Sequence, residues 1–481
     1  MATKISYEKE LEQQASKSRA AIELVKIVSD LWYDKSIELV LFRNPLFDQN
    51  VSEILHLTES ARRFVEKPIN VFGVLDVAKV IHGMELPPSR IDIGKLSYEY
   101  IISGKDNLAE YVGSALSEAK KSKAFAPRDV ILYGFGRIGR LLARELMIQT
   151  GKGSQLRLRA IVTRGKLDET TLEKRASLLR DDSVHDDFPG TVIVDTGKPA
   201  LIINGITVHM ISSDSPGSID YTQYGIKDAL VIDNTGVWRD EEGLGLHLKS
   251  KGVSKVLLTA PGKGNIPNIV FGVNEDTLDV DNTDIFSAAS CTTNAITPVL
   301  YAVEQTYGIR QGHLETIHSY TNDQNLVDNF HKKYRRGRAA AINMVITTTG
   351  AGSAVAKAVP SLEGKLTSSA IRVPVPNGSL AVLNLILEKP ATVDEINETI
   401  KRYALDGNLV EQIKYSLNNE LVSSDIVGVA APAIYDSKAT KASVKDNKVV
   451  LYVWYDNEYG YAHQVIRLAK HIAKVRRYKY F

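Results

Sequence analysis

The chain lacks several features that would assign it to a specialised class. Its single cysteine cannot form an internal disulfide, and no cysteine–histidine cluster has zinc-site spacing, so we expect a reducing environment and no metal. No run of about 18 apolar residues occurs, and residues 1–14 are polar, so neither a membrane span nor a signal peptide is expected. Basic residues (59) barely exceed acidic ones (57), which argues against a nucleic-acid partner. These absences predict a cytoplasmic globular protein, and 481 residues are enough for two or three domains.

Residues 1–127 are predicted to form a helical extension in which no chemistry is recognisable. Ile22, Val25, Val28 and Trp32 recur at spacings of three and four, the pattern of an amphipathic helix. Asn50 followed by Glu53 is typical of a capping box, and a further helix is expected over 106–121. We interpret the segment as a helical cap or an oligomer contact, with a regulatory or partner-binding module as the alternative.

A glycine motif follows the β-type run at 130–133. Residues 134–140 are Gly-Phe-Gly-Arg-Ile-Gly-Arg, and the next residues favour a helix. In this context the three glycines predict a dinucleotide site, because they permit a tight turn, close approach of a pyrophosphate and close packing of helix on strand. The cofactor contacts expected here are Gly134, Phe135, Gly136, Arg137, Ile138 and Gly139.

A second strand, 158–162, ends without the acidic residue that usually binds the adenosine ribose. Thr163 and Arg164 stand there instead. A carboxylate would repel a ribose 2′-phosphate, whereas a guanidinium attracts it, so the sequence predicts NADP or dual use of NAD and NADP. Later β-type runs end near Thr235 and Thr259, at the carboxyl ends of strands where an open α/β sheet binds ligands.

Cys291 is the candidate nucleophile. It precedes a segment, 295–300, that resembles the opening of a helix, and a helix N-terminus stabilises a thiolate and lowers the pKa of the thiol. His318 follows a β-type run and is the candidate acid–base group. Taken alone, an inert buried thiol and a structural histidine are the alternatives.

Arginine and hydroxyl residues follow the histidine. Arg336 and Arg372 lie after it, and a run of threonines ends in Thr349 and Gly350. Arginine forks, hydroxyls and backbone N–H groups are what phosphate oxygens need, and no Walker motif indicates nucleotide hydrolysis. With the glycine motif, this pattern predicts a dinucleotide-dependent thiol enzyme that acts on a phosphorylated carbonyl compound.

From about residue 128 onward the chain resembles the phosphorylating glyceraldehyde-3-phosphate dehydrogenase family. The motifs occur in order: the glycine motif at 134–140, Asp-Ser-Val-His at 182–185, Ser-Cys-Thr-Thr-Asn at 290–294, His-Ser-Tyr-Thr-Asn-Asp-Gln at 318–324, Arg-Ala-Ala-Ala at 338–341, Thr-Thr-Thr-Gly at 347–350 and Trp-Tyr-Asp-Asn-Glu at 454–458. So many motifs in one order make the resemblance specific, and it favours catalytic roles for Cys291 and His318.

The resemblance implies oxidation of D-glyceraldehyde 3-phosphate to 1,3-bisphosphoglycerate with inorganic phosphate, in the glycolytic or the gluconeogenic direction. Cys291 would form a hemithioacetal and then a thioester, with His318 as acid–base group and hydride going to NAD or NADP. The implied phosphate contacts are Thr321 and Arg372 for the substrate, and Ser290, Thr292, Arg336, Thr349 and Gly350 for the attacking phosphate. The implied cofactor contacts outside the glycine motif are Asn457 and Tyr461, with Asn322 as a further candidate. Thr163, Arg164, Thr235 and Thr259 are candidates because of their positions at strand ends.

Four positions depart from the family pattern. Thr163 replaces an acid, Tyr133 an asparagine, Ala295 a second cysteine, and Asn329-Phe330 a Leu-Pro pair that is common in NAD-specific members. The first and last of these concern adenosine recognition, so strict use of NAD is not expected.

The implied fold class is α/β, with a Rossmann-type doubly wound cofactor domain at 128–290 that is completed by the segment 457–481, whose helix is expected at about 459–475. An α+β catalytic domain at 291–456 would carry a mixed, largely antiparallel sheet. The resemblance also implies a homotetramer, with the loop at 322–342 near a neighbouring subunit's cofactor. The alternatives are an erythrose-4-phosphate dehydrogenase, which favours hydrolysis of the thioester, and a regulatory or scaffold protein that acts through the extension.

Overall fold

The computed structural model describes residues 6–65, 68–122 and 125–481. They fall into two compact units: unit 1 consists of residues up to Pro127 together with 150–155 and 475–481, and unit 2 consists of 128–149 and 156–474. Unit 1 therefore gathers three separate pieces of the chain. Unit 2 contains every residue for which the sequence predicts binding or chemistry.

Unit 1 begins with a long amphipathic helix. Its elements before residue 127 are α1 (Tyr7–Lys35), β1 (Glu38–Leu41), β2 (Asn44–Pro45), α2 (Val51–Val65), α3 (Val71–His82), β3 (Ser89–Asp92), α4 (Ile93–Ser103) and α5 (Leu108–Ala115). Of the predicted apolar stripe, Val28 and Trp32 are buried, whereas Ile22 is 58% exposed and Val25 is half-buried. The buried face of α1 includes Leu24 and Leu31 instead. The reciprocal hydrogen bonds between Asn50 and Glu53 form the predicted capping box at the start of α2.

The first part of unit 2 alternates strands and helices. Its elements are β4 (Arg128–Tyr133), α6 (Arg137–Ile148), β5 (Leu156–Thr163), α7 (Glu169–Arg180), β6 (Val192–Asp195), β7 (Ala200–Ile203), β8 (Ile206–Ser212), β9 (Ala229–Asp233), α8 (Glu241–Gly245), β10 (Val253–Leu258) and β11 (Ile285–Ser287).

The second part of the chain is richer in long strands. Its elements are α9 (Cys291–Tyr307), β12 (Ile309–Ser319), β13 (Val345–Thr347), α10 (Ala351–Ala358), β14 (Leu366–Val373), β15 (Ser379–Leu387), α11 (Val393–Leu405), β16 (Ile413–Ser416), β17 (Ala433–Asp436), β18 (Lys441–Ser443), β19 (Lys448–Tyr455), α12 (Tyr459–Ile472) and β20 (Tyr478–Tyr480).

The extension contains a sheet that the prediction of an all-helical segment did not include. Its strand order is β2-β1-β3-β20, and β3 pairs in parallel with both β1 and β20. Arg477, just before β20, forms an ion pair with Glu38 of β1 at 3.2 Å and lies 4.6 Å from the Trp32 ring centroid. The helix expected at about 459–475 corresponds to α12, which ends at Ile472, whereas residues 475–481 of the same segment belong to unit 1.

The expected doubly wound sheet forms the first half of unit 2. Its strand order is β11-β10-β9-β4-β5-β8-β7-β6, and the pairs from β11 to β8 are parallel. Residues 130–132 of β4 are fully buried, as expected for a parallel strand that is covered on both faces. The strands that follow β4 in the chain lie on one side of it, from β5 onward, and then on the other side, from β9 onward. In such a sheet, ligands bind at the carboxyl ends of the strands where the direction of winding reverses, which here is beside β4.

A mixed sheet forms the second half of unit 2, as predicted. Its order is β13-β14-β12-β15-β19-β17-β16, with β18 also paired to β19. The pairs β12–β14 and β16–β17 are parallel, and the other pairs are antiparallel. Cys291 opens α9 and His318 lies near the end of β12. Within the described parts of the chain, no helix combines the length and the apolar character needed to cross a membrane.

Candidate active site

The glycine turn after β4 has the geometry that the motif predicts. Gly134 has a φ of +101°, and a Cβ on Gly139 would lie 2.5 Å from the Gly134 carbonyl oxygen. Gly136 caps α6 and offers no side-chain acceptor to the first-turn N–H groups, which suits an incoming anion. Phe135 is buried and Ile138 is half-buried beside the turn. These features fit the pyrophosphate of a dinucleotide.

The side chain of Arg137 has a structural role. Its guanidinium binds both oxygens of Asp182 at 3.1 Å and both oxygens of Glu458 at 2.6 Å. His185 Nε2 lies 3.2 Å from the same Glu458 carboxylate. Because two carboxylates hold the guanidinium, only the backbone N–H of Arg137 is available for the predicted contact with the cofactor.

Two hydroxyl groups lie buried and unpartnered at the ends of neighbouring strands. Tyr133 ends β4 and Thr163 ends β5, and the two strands pair in parallel. Their exposed fractions are 3% and 7%, and neither hydroxyl makes a hydrogen bond of good geometry with the residues that the structure describes, although Ser213 lies near enough to the Tyr133 hydroxyl to affect its pKa. Burial raises the pKa of Tyr133, while Ser213 and Arg164 act in the opposite direction. Because a buried unpaired hydroxyl is costly, these two groups indicate a ligand site.

Asp233, at the end of β9, holds both predicted threonines. One carboxylate oxygen accepts from the Thr235 N–H at 2.8 Å and from its hydroxyl at 2.7 Å. The Asp233 carbonyl oxygen accepts from the Thr259 hydroxyl at 3.1 Å. The other carboxylate oxygen lies 3.0 Å from Nε2 of the buried His247. A Cβ on Gly134 would lie 3.1 Å from Thr235, so this cluster borders the glycine turn.

The predicted nucleophile and acid–base group are in contact. Cys291 Sγ lies 3.5 Å from His318 Nε2. Ser290 caps α9, because its hydroxyl oxygen accepts the Thr293 N–H at 3.0 Å. Cys291 is partly exposed, whereas His318 is buried. The predicted helix opening thus places the thiol at the N-terminus of α9.

Two groups compete for the other nitrogen of His318. Arg372 Nη1 lies 2.6 Å from Nδ1, and the Ser319 carbonyl oxygen lies 2.7 Å from it. A guanidinium can donate to Nδ1 only if that nitrogen carries no proton, whereas a hydrogen bond to the carbonyl oxygen requires Nδ1–H. In the tautomer with Nδ1–H, Nε2 is free to accept the thiol proton. Burial and the charge of Arg372 lower the pKa of His318 to about 3. The imidazole is therefore neutral at neutral pH and able to take a proton.

The thiol does not have the depressed pKa that its position suggests. Burial raises the pKa of Cys291, and the opposing effects of Arg372 and of the Thr292 groups do not outweigh it. Protein atoms that keep water from the sulfur disfavour the thiolate more than the helix N-terminus favours it. The thiol is therefore mainly protonated at neutral pH, and His318 lies in position to take its proton as the sulfur attacks.

The predicted phosphate residues form a connected group around the pair. Arg372 is the register partner of His318 on the neighbouring strand. Arg336 Nη2 donates to the Thr347 hydroxyl oxygen at 3.1 Å. Asp323 accepts from the Thr321 hydroxyl and forms an ion pair with Arg336. Sequence reasoning quoted Asp323 within a motif but gave it no role, since only the folded loop brings it to Arg336.

The other predicted phosphate residues have local partners. Thr292 Oγ1 lies 3.1 Å from Tyr455 Oη, and the same phenol contacts Thr316 at 2.7 Å. Thr349 Oγ1 accepts the Ala351 N–H at 3.3 Å, and Gly350 caps α10. Sequence reasoning missed the contact of Tyr455 with Thr292, because a buried tyrosine on a strand is typical of a core residue.

The three remaining predicted cofactor residues differ in their surroundings. The Asn457 Oδ1 atom accepts from Ser319 at 3.1 Å and from Ser379 at 2.8 Å, which fixes the orientation of the amide. Tyr461 donates to the Ala289 carbonyl oxygen at 2.9 Å, close to Cys291 in the chain. Asn322 is exposed in the loop after β12.

Fold and site together define an oxidoreductase with a Rossmann-type domain that binds a nicotinamide dinucleotide. Comparison with protein families gives the same result for both halves of unit 2. Residues 128–241 match the glyceraldehyde 3-phosphate dehydrogenase NAD binding domain, and residues 290–457 match its C-terminal domain. The chain belongs to the glyceraldehyde-3-phosphate dehydrogenase family.

Similar proteins come from several bacteria. A glyceraldehyde-3-phosphate dehydrogenase-like protein of Pseudomonas aeruginosa is 48% identical over 463 residues, which cover 94% of this chain and 98% of that protein. The glyceraldehyde-3-phosphate dehydrogenase of Thermotoga maritima is 42% identical, with 70% of this chain and 96% of that protein covered. For glyceraldehyde-3-phosphate dehydrogenase 2 of Bacillus subtilis the values are 38%, 72% and 96%. Most of the extension is thus shared with the Pseudomonas protein.

Proposed function

We propose that the protein catalyses the reversible oxidation of D-glyceraldehyde 3-phosphate to 1,3-bisphosphoglycerate, with inorganic phosphate and NAD or NADP. The observation that supports this most directly is the contact of Cys291 Sγ with His318 Nε2 beside Arg372. A thiol next to a neutral imidazole is a nucleophile for an aldehyde, and a guanidinium attracts a phosphorylated substrate. The names of the relatives support the same substrate.

The residues of the site would act in a fixed order. His318 Nε2 takes the thiol proton as Cys291 Sγ attacks the aldehyde carbon, and the proton then passes to the carbonyl oxygen to give a hemithioacetal. The Cys291 backbone N–H at the start of α9 stabilises the developing oxyanion. A bound nicotinamide dinucleotide supplies the hydride acceptor. His318 accepts the hydroxyl proton in that step, and inorganic phosphate finally displaces Cys291 from the thioester.

For the cofactor we propose NADP or dual use. Thr163 stands at the strand end where a carboxylate would repel a 2′-phosphate, and the Arg164 side chain beside it is exposed. The unpartnered hydroxyls of Tyr133 and Thr163 are further groups that suit an oxygen-rich ligand at this edge. The glycine turn supports binding of either dinucleotide.

For the assembly we propose a homotetramer. The loop between β12 and β13 exposes a cluster of large apolar side chains, with exposed fractions of 91% for Phe330, 98% for Tyr334 and 77% for Met344. An apolar surface of this kind is typical of a protein contact. Light scattering during size-exclusion chromatography tests the subunit number directly.

One kinetic experiment tests reaction and cofactor together. Purified enzyme is given glyceraldehyde 3-phosphate with NAD or NADP, with and without inorganic phosphate, and acyl phosphate is measured beside reduced cofactor. We expect acyl phosphate to form in step with reduced cofactor, and only when inorganic phosphate is present. Reduced cofactor with free acid as the product in the presence of phosphate would contradict the proposal.

A further inference from the structure

Asp323 makes contacts that the proposed reaction does not require. Its carboxylate accepts a hydrogen bond from the Thr321 hydroxyl and forms an ion pair with Arg336. Thr321 is proposed to hold the substrate phosphate, and Arg336 is proposed to hold the attacking phosphate. One carboxylate therefore joins two groups that both suit a phosphate oxygen.

The two members of the ion pair differ in their freedom to move. The Arg336 side chain is 9% exposed, whereas that of Asp323 is 45% exposed. Arg336 is also held by the Thr347 hydroxyl oxygen, at 3.1 and 3.4 Å from its Nη2 and Nε atoms. The cation is thus fixed, while the carboxylate has room to turn towards solvent.

Asp323 is also an anion under working conditions. Burial alone would raise the pKa of its carboxyl group, but the hydrogen bond from Thr321 and the charges of Arg336 and Arg372 outweigh burial and lower it. The same carboxylate acts electrostatically on His318. A second anion that approaches Arg336 meets this charge, and like charges repel.

We propose that Asp323 is a built-in competitor of phosphate, which holds Thr321 and Arg336 in position and must release them when a phosphate oxyanion binds. The inference rests on the proposed function and adds a residue that sets phosphate affinity at the same site. The N–H and O–H groups that Asp323 uses are those that a phosphate oxygen would accept from. Phosphate affinity is therefore kept below the value that the cationic groups alone would give.

The test replaces Asp323 by its neutral isostere. In D323N we expect the KM for inorganic phosphate at saturating aldehyde to fall by about tenfold, because a unit charge close to the binding anion is removed. D328N is the matched control, since Asp328 forms the exposed ion pair with Arg338 at 2.8 Å and its replacement changes the net charge equally. D328N should keep the wild-type KM.

Sulfate gives a second readout that needs no turnover. Protection of Cys291 against iodoacetamide should require about tenfold less sulfate in D323N than in the wild type or in D328N. D323S, compared by thermal melting, covers the case in which D323N folds poorly. An unchanged or raised phosphate KM and sulfate requirement in D323N or D323S would overturn the proposal. Wild-type enzyme that forms no acyl phosphate would instead refute the proposed function, while the sulfate comparison would still test Asp323.

Discussion

Two regions of unit 2 differ in how their polar groups are partnered: the proposed reaction centre around Cys291, and the ends of β4 and β5 at Tyr133 and Thr163, which we call the adenosine edge because we propose that the adenosine of the cofactor binds there. Cys291 and Arg372 both contact His318, so these groups hold one another in place. At the edge, the hydroxyls of Tyr133 and Thr163 are buried without partners among the described residues. Groups that are hydrogen-bonded to one another keep their geometry, whereas a buried group without a partner is stabilised when a ligand forms a hydrogen bond with it. In the proposed function, the prearranged groups would carry out the chemistry and the ends of β4 and β5 would select the cofactor.

The largest expected effect is at the nucleophile. In C291S the rate should fall by on the order of 10⁴-fold or more, because an alkoxide is far less accessible than a thiolate. Dinucleotide affinity, measured by fluorescence titration, should stay at the wild-type value if the two regions are independent. A large loss of affinity would show that they are coupled.

Replacement of the acid–base group should have the next largest effect. H318N should lower kcat by about 10²–10⁴-fold, the range for removal of a positioned acid–base group. The KM for the dinucleotide should change little, since His318 lies in the reaction centre and not at the edge. Measurement of kcat and KM with both cofactors checks this, and a kcat within twofold of wild type would contradict the role.

The ionisation of Cys291 can be followed by its alkylation with iodoacetamide. Because burial raises the pKa of the thiol, the reactive thiolate is scarce at neutral pH, and the alkylation rate should rise by about tenfold per pH unit between pH 7 and 8. His318, with a pKa of about 3, contributes no titration in this range. A rate that is already constant from pH 6 upward would indicate a thiolate–imidazolium pair instead.

A charge at the adenosine edge should change cofactor preference without changing the chemistry. In T163D the ratio of kcat/KM for NADP to that for NAD should fall by about tenfold or more, because the new carboxylate repels a 2′-phosphate. T163S keeps the hydroxyl and should keep the ratio. A ratio that is the same in T163D and T163S would place 2′-phosphate recognition elsewhere.

The smallest expected effect is at the buried phenol. Y133F removes a hydroxyl without a partner, so the free energy of unfolding should rise by about 1 kcal/mol in urea titrations. If a ligand uses this hydroxyl, NADP affinity should fall about threefold in the same variant. If stability rises while NADP affinity stays unchanged, the Tyr133 hydroxyl has no role in binding. Only Thr163 would then distinguish the adenosine edge from the reaction centre.

Local signals in the sequence predicted the framework of unit 2. The apolar run that ends at Tyr133, the glycines after it and the helix opening at Cys291 each determine structure over a few residues, and all three agree with the structure. The family motifs then gave the candidate residues. These features depend on backbone conformation and burial, which neighbouring residues largely decide.

Contacts between distant residues could not be predicted in the same way. Strands β1 and β3 are four residues long, too short for a periodic pattern, and their sheet needs β20 from the far end of the sequence. The side chain of Arg137 pairs with Asp182 and Glu458, 45 and 321 residues away, and no local pattern predicted these partners. The raised pKa of Cys291 likewise results from surrounding tertiary packing.

The parallel pairing of β3 with β20 has a consequence for biosynthesis. A ribosome that has made residues 89–92 must add nearly the whole of unit 2 before residues 478–480 emerge. Until then one edge of the sheet in the extension is open, and an open strand edge can pair with another nascent chain. Completion of this sheet therefore follows the synthesis of unit 2, although the helices of the extension are made before it.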